Sequence, residues 1–543
     1  MKKLARCSIA WFAWPLLAQM PSPKAPPTKP PLDYTGSQAC AGCHRAIYDH
    51  WVSSPMGRSI TPASQHLAKA STPTTVSNEK QRRTFEAFVD QGRLMQSEAG
   101  EAFRNVQPVS WAIGSGVNGF SFVVQRGDHL FQAPLSYYSK PNRWELSPGY
   151  EFADYGFNRP IAAGCIYCHS GAPNVVPQRS GLFEQPPFRE LSIGCENCHG
   201  PGARHIAQKG ARTAIVNPKR LPPDRADEIC MNCHQGGDTR ILQPGKTERD
   251  FRPGMVLNDV VAIFKLPRNR DNPADADLLE HHESMRLSQC FQATQTRANR
   301  LSCNSCHNPH AATADYRQAC LGCHTAPLAP THPNRQSDCI SCHMPKRDVQ
   351  VIAHSALTNH RIVRTPSQPL PADAFSTAPV VHFNATSQPL PLLTRLKAYG
   401  QLSDQQPALL PPFEQLLNEA SRAHPDDPLV LGTLGRRALR ANQIEEAVSY
   451  LTRSIERGSV ATPTFEDLGE ALAKAGRLEE AVTVLRRGIE LSPYTASLYK
   501  SLALRLIKLE RYPEAKQTLE RYVELFPEDD FIRRLLTQVS GGR

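Results

Sequence analysis

Seven copies of Cys-x-x-Cys-His run through the sequence: Cys40-Cys43-His44, Cys165-Cys168-His169, Cys195-Cys198-His199, Cys230-Cys233-His234, Cys303-Cys306-His307, Cys320-Cys323-His324 and Cys339-Cys342-His343. They take up fourteen of the 16 cysteines and seven of the 19 histidines. At this abundance of Cys and His, chance supplies on the order of 0.02 copies. Two thiols three positions apart share one side of a helical turn, where each can bond a vinyl group of one haem. The adjacent His then reaches the iron as its proximal ligand. A zinc site needs four converging ligands, which seven unpaired half-sites do not supply, and it requires no His directly after the second Cys. A plain disulfide requires no His at all. The motifs therefore predict seven covalently held c-type haems, with iron on His44, His169, His199, His234, His307, His324 and His343.

A second axial ligand for each iron must come from elsewhere. His205 follows the third motif in Cys-His-Gly-Pro-Gly-Ala-Arg-His, and His310 follows the fifth in Cys-His-Asn-Pro-His. The His281-His282 pair lies in a polar, helix-like run at 275–287, where one of the two can turn inward. His354 and His360 come soon after the last motif and can return to earlier haems. His50, His66, His129, His332 and His382 read as surface or loop histidines, and His424 belongs to a different region.

These residues need a frame. Charged residues make up 21% of the 543 and aromatic ones only 7%, so the chain reads as folded but short of aromatic core, which flat apolar haems would supply. Lys2, Lys3 and Arg6 precede an apolar run from Cys7 to Ala18, too short to span a bilayer and fitting a signal peptide at 1–20. A Pro-rich spacer at 21–35 comes next. The motifs then occupy 36–362, and a second Pro-rich stretch at 363–412 reads as a linker. The interval after the first motif alternates β-formers at 84–89, 120–125 and 129–138, broken by Asp90-Gln91-Gly92 and Arg126-Gly127-Asp128, and predicts a small antiparallel insertion at 72–160. The last two motif groups are tightly spaced, so their haems should be close or stacked.

The strings at 195–205 and 303–310, with Cys342-His343-Met344-Pro345, resemble the multihaem cytochromes c related to the tetrahaem electron acceptor of hydroxylamine oxidoreductase. The resemblance covers about residues 36–362. It implies that His205 and His310 are distal ligands. The family's Tyr-x-x-Trp-x-x-Ser-x-His is matched here by Tyr48, Trp51 and Ser54, with Met56 where the His would stand. Met56 is thus either a distal ligand, which raises that haem's potential, or a buried methionine.

From 413 to 543 the cysteines stop and a 34-residue period begins. Leu434-Gly435, Ala438 and Ala447 recur as Leu468-Gly469, Leu472 and Ala481, then as Leu502-Ala503, Leu506 and Ala515. This pattern resembles tetratricopeptide repeats, with three copies from about 428 to 529, a degenerate helix before and a capping helix after. The expected fold is mainly α: a haem-packed cytochrome domain with a small β-rich insertion, then an α-solenoid.

Two functions from different classes stand. One is an exported, periplasmic or cell-surface electron relay, docked to a redox partner through its repeats. The other is a multihaem oxidoreductase acting on a small nitrogen or sulfur oxyanion at one open haem. No Cys-x-x-Cys-Lys occurs, and spare ligands are plentiful, which favours the relay. The formal charge of +11 makes no case for nucleic acid, because each haem adds two propionates. No transmembrane span is expected once the signal is removed.

Overall fold

The computed structural model describes residues 34–541, except 154, 269–279, 298–299, 311–314, 326–331, 333–337, 349–355 and 366. The expected signal peptide, most of the 21–35 spacer and His354 lie outside the described residues.

Between the first two motifs the chain is built of strands: β1 (Ile60–Pro62), β2 (Thr74–Asn78), β3 (Arg83–Asp90), β4 (Arg93–Gly100), β5 (Phe103–Pro108), β6 (Trp111–Ile113), β7 (Gly119–Arg126), β8 (His129–Tyr138), β9 (Arg143–Leu146) and β10 (Arg159–Pro160). They form a four-stranded sheet in the order β2-β3-β4-β5 and a six-stranded sheet in the order β1-β6-β7-β8-β10, with β9 also paired to β8. The β3–β4 connection shows how the sequence sets this. Asp90 pairs with Arg93 across a two-residue loop, where Gln91 and Gly92 take φ of 46° and 73°, the left-handed pair that matches strand twist. Phe85, Leu94, Phe122, Leu135, Trp144 and Phe157 fill the core of this unit. Burying each such side chain stabilises by about 1.5–3 kcal/mol.

This strand content corrects the expectation of a mainly helical domain with a small insertion. Further sheets lie beyond it: β11 (Ala172–Val175) with β12 (Phe183–Glu190), β13 (Thr239–Leu242) with β14 (Val261–Lys265) and β17 (Val381–His382), and β15 (Lys346–Asp348) with β16 (Ala356–Thr358). Most are too short to display a period of two. Pro173 in β11 and Pro186 and Pro187 in β12 also argue against strands when only composition is read.

The motifs sit on short helices. α1 is Ser37–Cys40, α2 Arg45–Ser53, α3 Ala163–His169, α4 Cys195–His199, α5 Ala203–Ala207, α6 Pro223–His234, α7 His281–Arg286, α8 Gln289–Thr294, α9 Cys303–Cys306, α10 Tyr316–Leu321 and α11 Cys339–His343.

The stretch 363–412, read as a linker, carries β17 and α12 (Leu392–Ser403). Ala398 and Leu402 pack with Ile241, Ala262 and Phe264, while Leu396 packs with Leu416, Leu417 and Val430. One amphipathic helix therefore joins the motif-bearing region to the C-terminal one.

The C-terminal region is a helical solenoid of tetratricopeptide type. α13 (Leu410–Ala423) precedes three helix pairs, α14 (Pro428–Arg440) with α15 (Ile444–Glu456), α16 (Thr462–Lys474) with α17 (Leu478–Leu491) and α18 (Ala496–Lys508) with α19 (Tyr512–Leu525), and α20 (Asp530–Gly541) closes the stack. The 34-residue period has a direct packing meaning. A Cβ on Gly469 would stand 2.7 Å from Leu485, and one on Gly435 2.5 Å from Leu451, so the paired helices approach at these glycines. Each first helix ends in a left-handed residue, Asn442, Gly476 or Glu510. The next amide bonds back to Ala438, Leu472 or Leu506 at 2.8–2.9 Å, the closure typical of helix C-termini.

The far end of the solenoid is also fastened. Arg126 lies between the rings of Phe131 (4.1 Å) and Tyr494 (4.6 Å). His129 packs on Tyr494 at 4.9 Å, Asn158 donates to Leu525 O at 3.0 Å and Arg83 to Glu528 O at 2.8 Å. Arg179 donates to Leu491 O. The solenoid is thus held at α12 and again at its third repeat. Among the described residues, no helix is long and apolar enough to cross a membrane.

Candidate functional site

Each motif closes on a single helical turn. His44 N–H bonds to Cys40 O, His307 N–H to Cys303 O and His324 N–H to Cys320 O, all at 2.9 Å. The two thiols therefore project from one side, with the His beside them.

The chain places several of these histidines opposite a second imidazole. His44 faces His205 with ring centroids 6.3 Å apart and planes 14° from parallel. His199 faces His310 at 5.8 Å and 9°, and His307 faces His360 at 6.0 Å and 30°. His343 faces His332 at 6.2 Å, and His234 meets His281 at 5.6 Å with rings nearly perpendicular. A metal between two imidazoles, with bonds of roughly 2 Å on each side, holds the centroids about 6.3 Å apart. The described pairs cluster just at or below that separation.

Four of these rings are oriented by a backbone carbonyl, while His332 Nδ1 is buried with no hydrogen-bond partner among the described residues. Nδ1 of His199 lies 2.7 Å from Val216 O, that of His205 3.0 Å from Ala211 O, that of His343 2.8 Å from Val363 O and that of His360 2.8 Å from Thr358 O. A carbonyl only accepts, so Nδ1 carries the proton and Nε2 keeps its lone pair, as in oriented metal-ligating histidines. Burial lowers the pKa of His169, His234, His307, His310 and His360, and brings His281 down to about 4. Neutral imidazole is the form that binds metal. His169 and His234 keep solvent-accessible surface although the surrounding protein partly desolvates them. Separation, tautomer and setting all fit haem iron.

Other predicted residues fall elsewhere. His282 turns away from His281 toward Asp227 (3.9 Å) and Phe383, and burial holds it at about 4. Met56 lies half-buried in the turn after α2, while His44 looks at His205. His66 bonds Thr61 Oγ1 at 2.7 Å, and His382 bonds Asn258 Oδ1 at 2.8 Å, so both serve packing. His169 and His324 face no second imidazole among the described residues.

The motifs also meet one another out of sequence order. Closeness couples the thiols of Cys40 and Cys195, of Cys168 and Cys233, and of Cys230 and Cys303. In each pair it lowers one pKa (Cys195, Cys168, Cys230) and raises the other. The first motif therefore abuts the third, the second abuts the fourth, and the fourth abuts the fifth. Sequence reasoning missed His332, the role of these contacts, and Cys290, the cysteine on α8 that stands near Cys306 and Cys323. The spacing of residues along the chain carries no signal for any of them. Among the described residues, no group of three or more His, Cys, Asp and Glu is arranged to hold a metal ion on its own.

A family model described as "Tetratricopeptide repeat" matches residues 433–496. Solved structures similar to the solenoid include the TPR domain of Arabidopsis OM64 (16% identity, TM-score 0.20, 21% of this chain and 93% of that one). The first TPR domain of human RPAP3 matches at 20% identity and TM-score 0.20, over 21% and 91% of the two chains. The Cut9–Hcn1 assembly matches at 20% identity and TM-score 0.25, where this chain covers 29% of that one. The comparison with curated proteins gives no match. The C-terminal module thus carries tetratricopeptide repeats, a scaffold that commonly binds protein partners.

Proposed function

We propose that this chain is an exported c-type cytochrome that holds seven haems and relays electrons, with a redox partner engaged through the solenoid. The observation that carries the reading is the pairing of motif histidines with remote imidazoles at ring-centroid separations of 5.6–6.3 Å, about what one metal between two imidazoles would set. Fourteen motif cysteines would hold the haems covalently. His44, His199, His234, His307 and His343 would each take a second ligand, from His205, His310, His281, His360 and His332 respectively. Haem supplies one-electron chemistry when bound.

The chain's own residues then do three things. The carbonyls at Val216, Ala211, Val363 and Thr358 fix tautomer and ring orientation. Burial favours the neutral imidazole at His234, His281, His307, His310 and His360. Motif contacts bring attachment sites together that lie far apart in sequence. Two histidine ligands on each of these five irons would leave no position there for a substrate, which supports a relay over an oxyanion-reducing enzyme; the sites of His169 and His324, which face no second imidazole among the described residues, are where the alternative would have to act. The test is the oxidised-minus-reduced spectrum and low-temperature EPR of the full-length holoprotein, with and without cyanide or nitrite. Low-spin signals that neither anion alters support the relay. A stoichiometric high-spin signal that shifts with nitrite contradicts it.

A further inference from the structure

We propose that Asp227 is the positioning residue that pins the fourth attachment motif against the fifth, so that α6 is the joint between the first four motifs and the tight group of three. The proposal rests on the haem reading of the motifs.

Helix packing gives the frame. α1 packs on α4, α3 on α6, α6 on α9, α9 on α10 and α10 on α11. Before α9 the helices pair out of sequence order, and beyond it they pack in a line along the chain. α6 is the element that touches both groups. It carries Cys230, Cys233 and His234, and one turn before Cys230 it carries Asp227.

Asp227 is 1% exposed. Its Oδ1 accepts the N–H of Cys303, the first residue of the fifth motif, at 2.9 Å. Its Oδ2 faces Arg300 Nη2 at 3.6 Å and His282 Nε2 at 3.9 Å. Arg300 also reaches Asp224 at 2.6 Å and sits over Phe291 at 5.0 Å. Every one of these partners except Asp224 comes from the segment that leads into the fifth motif. A carboxylate withdrawn from water is costly unless its partners compensate, and this one accepts the first amide of α9 from a different helix. Ser302 and Ser305 form a reciprocal capping box within the segment itself, engaging the amides of Ser302 and Ser305, while the Cys303 amide is taken by Asp227 from another helix. The buried acid, standing on α6, therefore joins the fourth motif's helix to the fifth motif's first residue. Its reach, one carboxylate length, sets how near Cys230 comes to Cys303.

The experiment uses the full-length, haem-loaded protein. Asp227→Ala removes the acceptor, and Asp227→Asn keeps an amide oxygen to receive the Cys303 N–H. His234→Met and His307→Met mark which EPR signals and midpoint potentials belong to the fourth and fifth sites. Intact mass checks the haem count of each variant. The expected result is seven haems in Asp227→Ala, with signals and potentials shifted at the fourth and fifth sites, the other five unmoved, and recovery in Asp227→Asn. If Asp227→Ala does not mature, Asp227→Glu, one methylene longer, should show the same two-site shift. Fourth and fifth sites identical to the parent, or a shift spread evenly over all seven, would overturn the assignment of Asp227 while leaving the haem reading intact. A parent protein without haem overturns both.

Discussion

His199 and His310 lie with ring centroids 5.8 Å apart and planes 9° from parallel, and His199 Nδ1 is committed to Val216 O at 2.7 Å. The ring separation is about what one metal between two imidazoles would set. The same relationship recurs at His44 with His205 and at His307 with His360, which makes it a property of the fold rather than of one contact.

Removing one member should therefore open one iron. His310→Ala in the holoprotein is expected to convert one low-spin haem to a high-spin one that binds cyanide. His66→Ala and His382→Asn, whose rings bond Thr61 and Asn258, should leave the EPR spectrum unchanged. A His66→Ala spectrum with a new high-spin signal would contradict the pairing.

The seam between solenoid and β-unit rests on Tyr494, which covers Arg126 and touches His129 and Phe131. Tyr494→Ala should cost about 1–3 kcal/mol of docking, from lost apolar area and aromatic contact. Hydrogen exchange should show faster exchange in 491–530 and around 126–131, with α14 and α15 unaffected.

That seam should also weaken in acid. Burial lowers the pKa of His129, with Arg179 and Arg126 adding to the effect and Asp128 opposing it. The folded value is then below the unfolded one of about 6.5. The stabilisation is complete above that pH and drains away as pH falls below it, because the unfolded chain takes up the proton first. Protection of the amides in 126–131, corrected for the intrinsic pH dependence of exchange, should fall as pH drops below about 6.5 in the parent. His129→Phe should flatten that profile.

In the solenoid, Glu510 occupies the left-handed position that Gly476 takes one repeat earlier, with φ of 59° against 78°. A side chain there costs roughly 1–2 kcal/mol. Glu510→Gly should raise the thermal midpoint, corresponding to about 1 kcal/mol after the added freedom of the unfolded chain is counted. Gly469→Ala, which forces a methyl group against Leu485, should lower it by about 1–3 kcal/mol.

How much was legible in the sequence depends on the range of the interactions. A motif such as Cys303-Cys306-His307 is one helical turn, and the repeats are helix pairs joined by short turns, so both are written in local spacing. His205 and His310 were legible through short strings beside their motifs, but the irons they would serve were not, since His310 looks back to His199 across the fold. His332 looked like a loop residue because nothing near it in sequence marks its neighbour His343. The sheets were underestimated because strands as short as Val381–His382 owe their existence to a partner strand and have no pattern of their own. The Pro-rich stretch concealed α12, whose apolar face makes sense only with β13 and β14 beneath it.

The most direct test is the intact mass of the full-length protein, produced in a host that exports it and matures c-type cytochromes, together with its reduced absorption spectrum. Seven covalent haem increments that survive denaturation, with a spectrum typical of low-spin c-type haem, are the predicted result. A mature chain at its polypeptide mass, or one whose cysteines carry only disulfides, would contradict it.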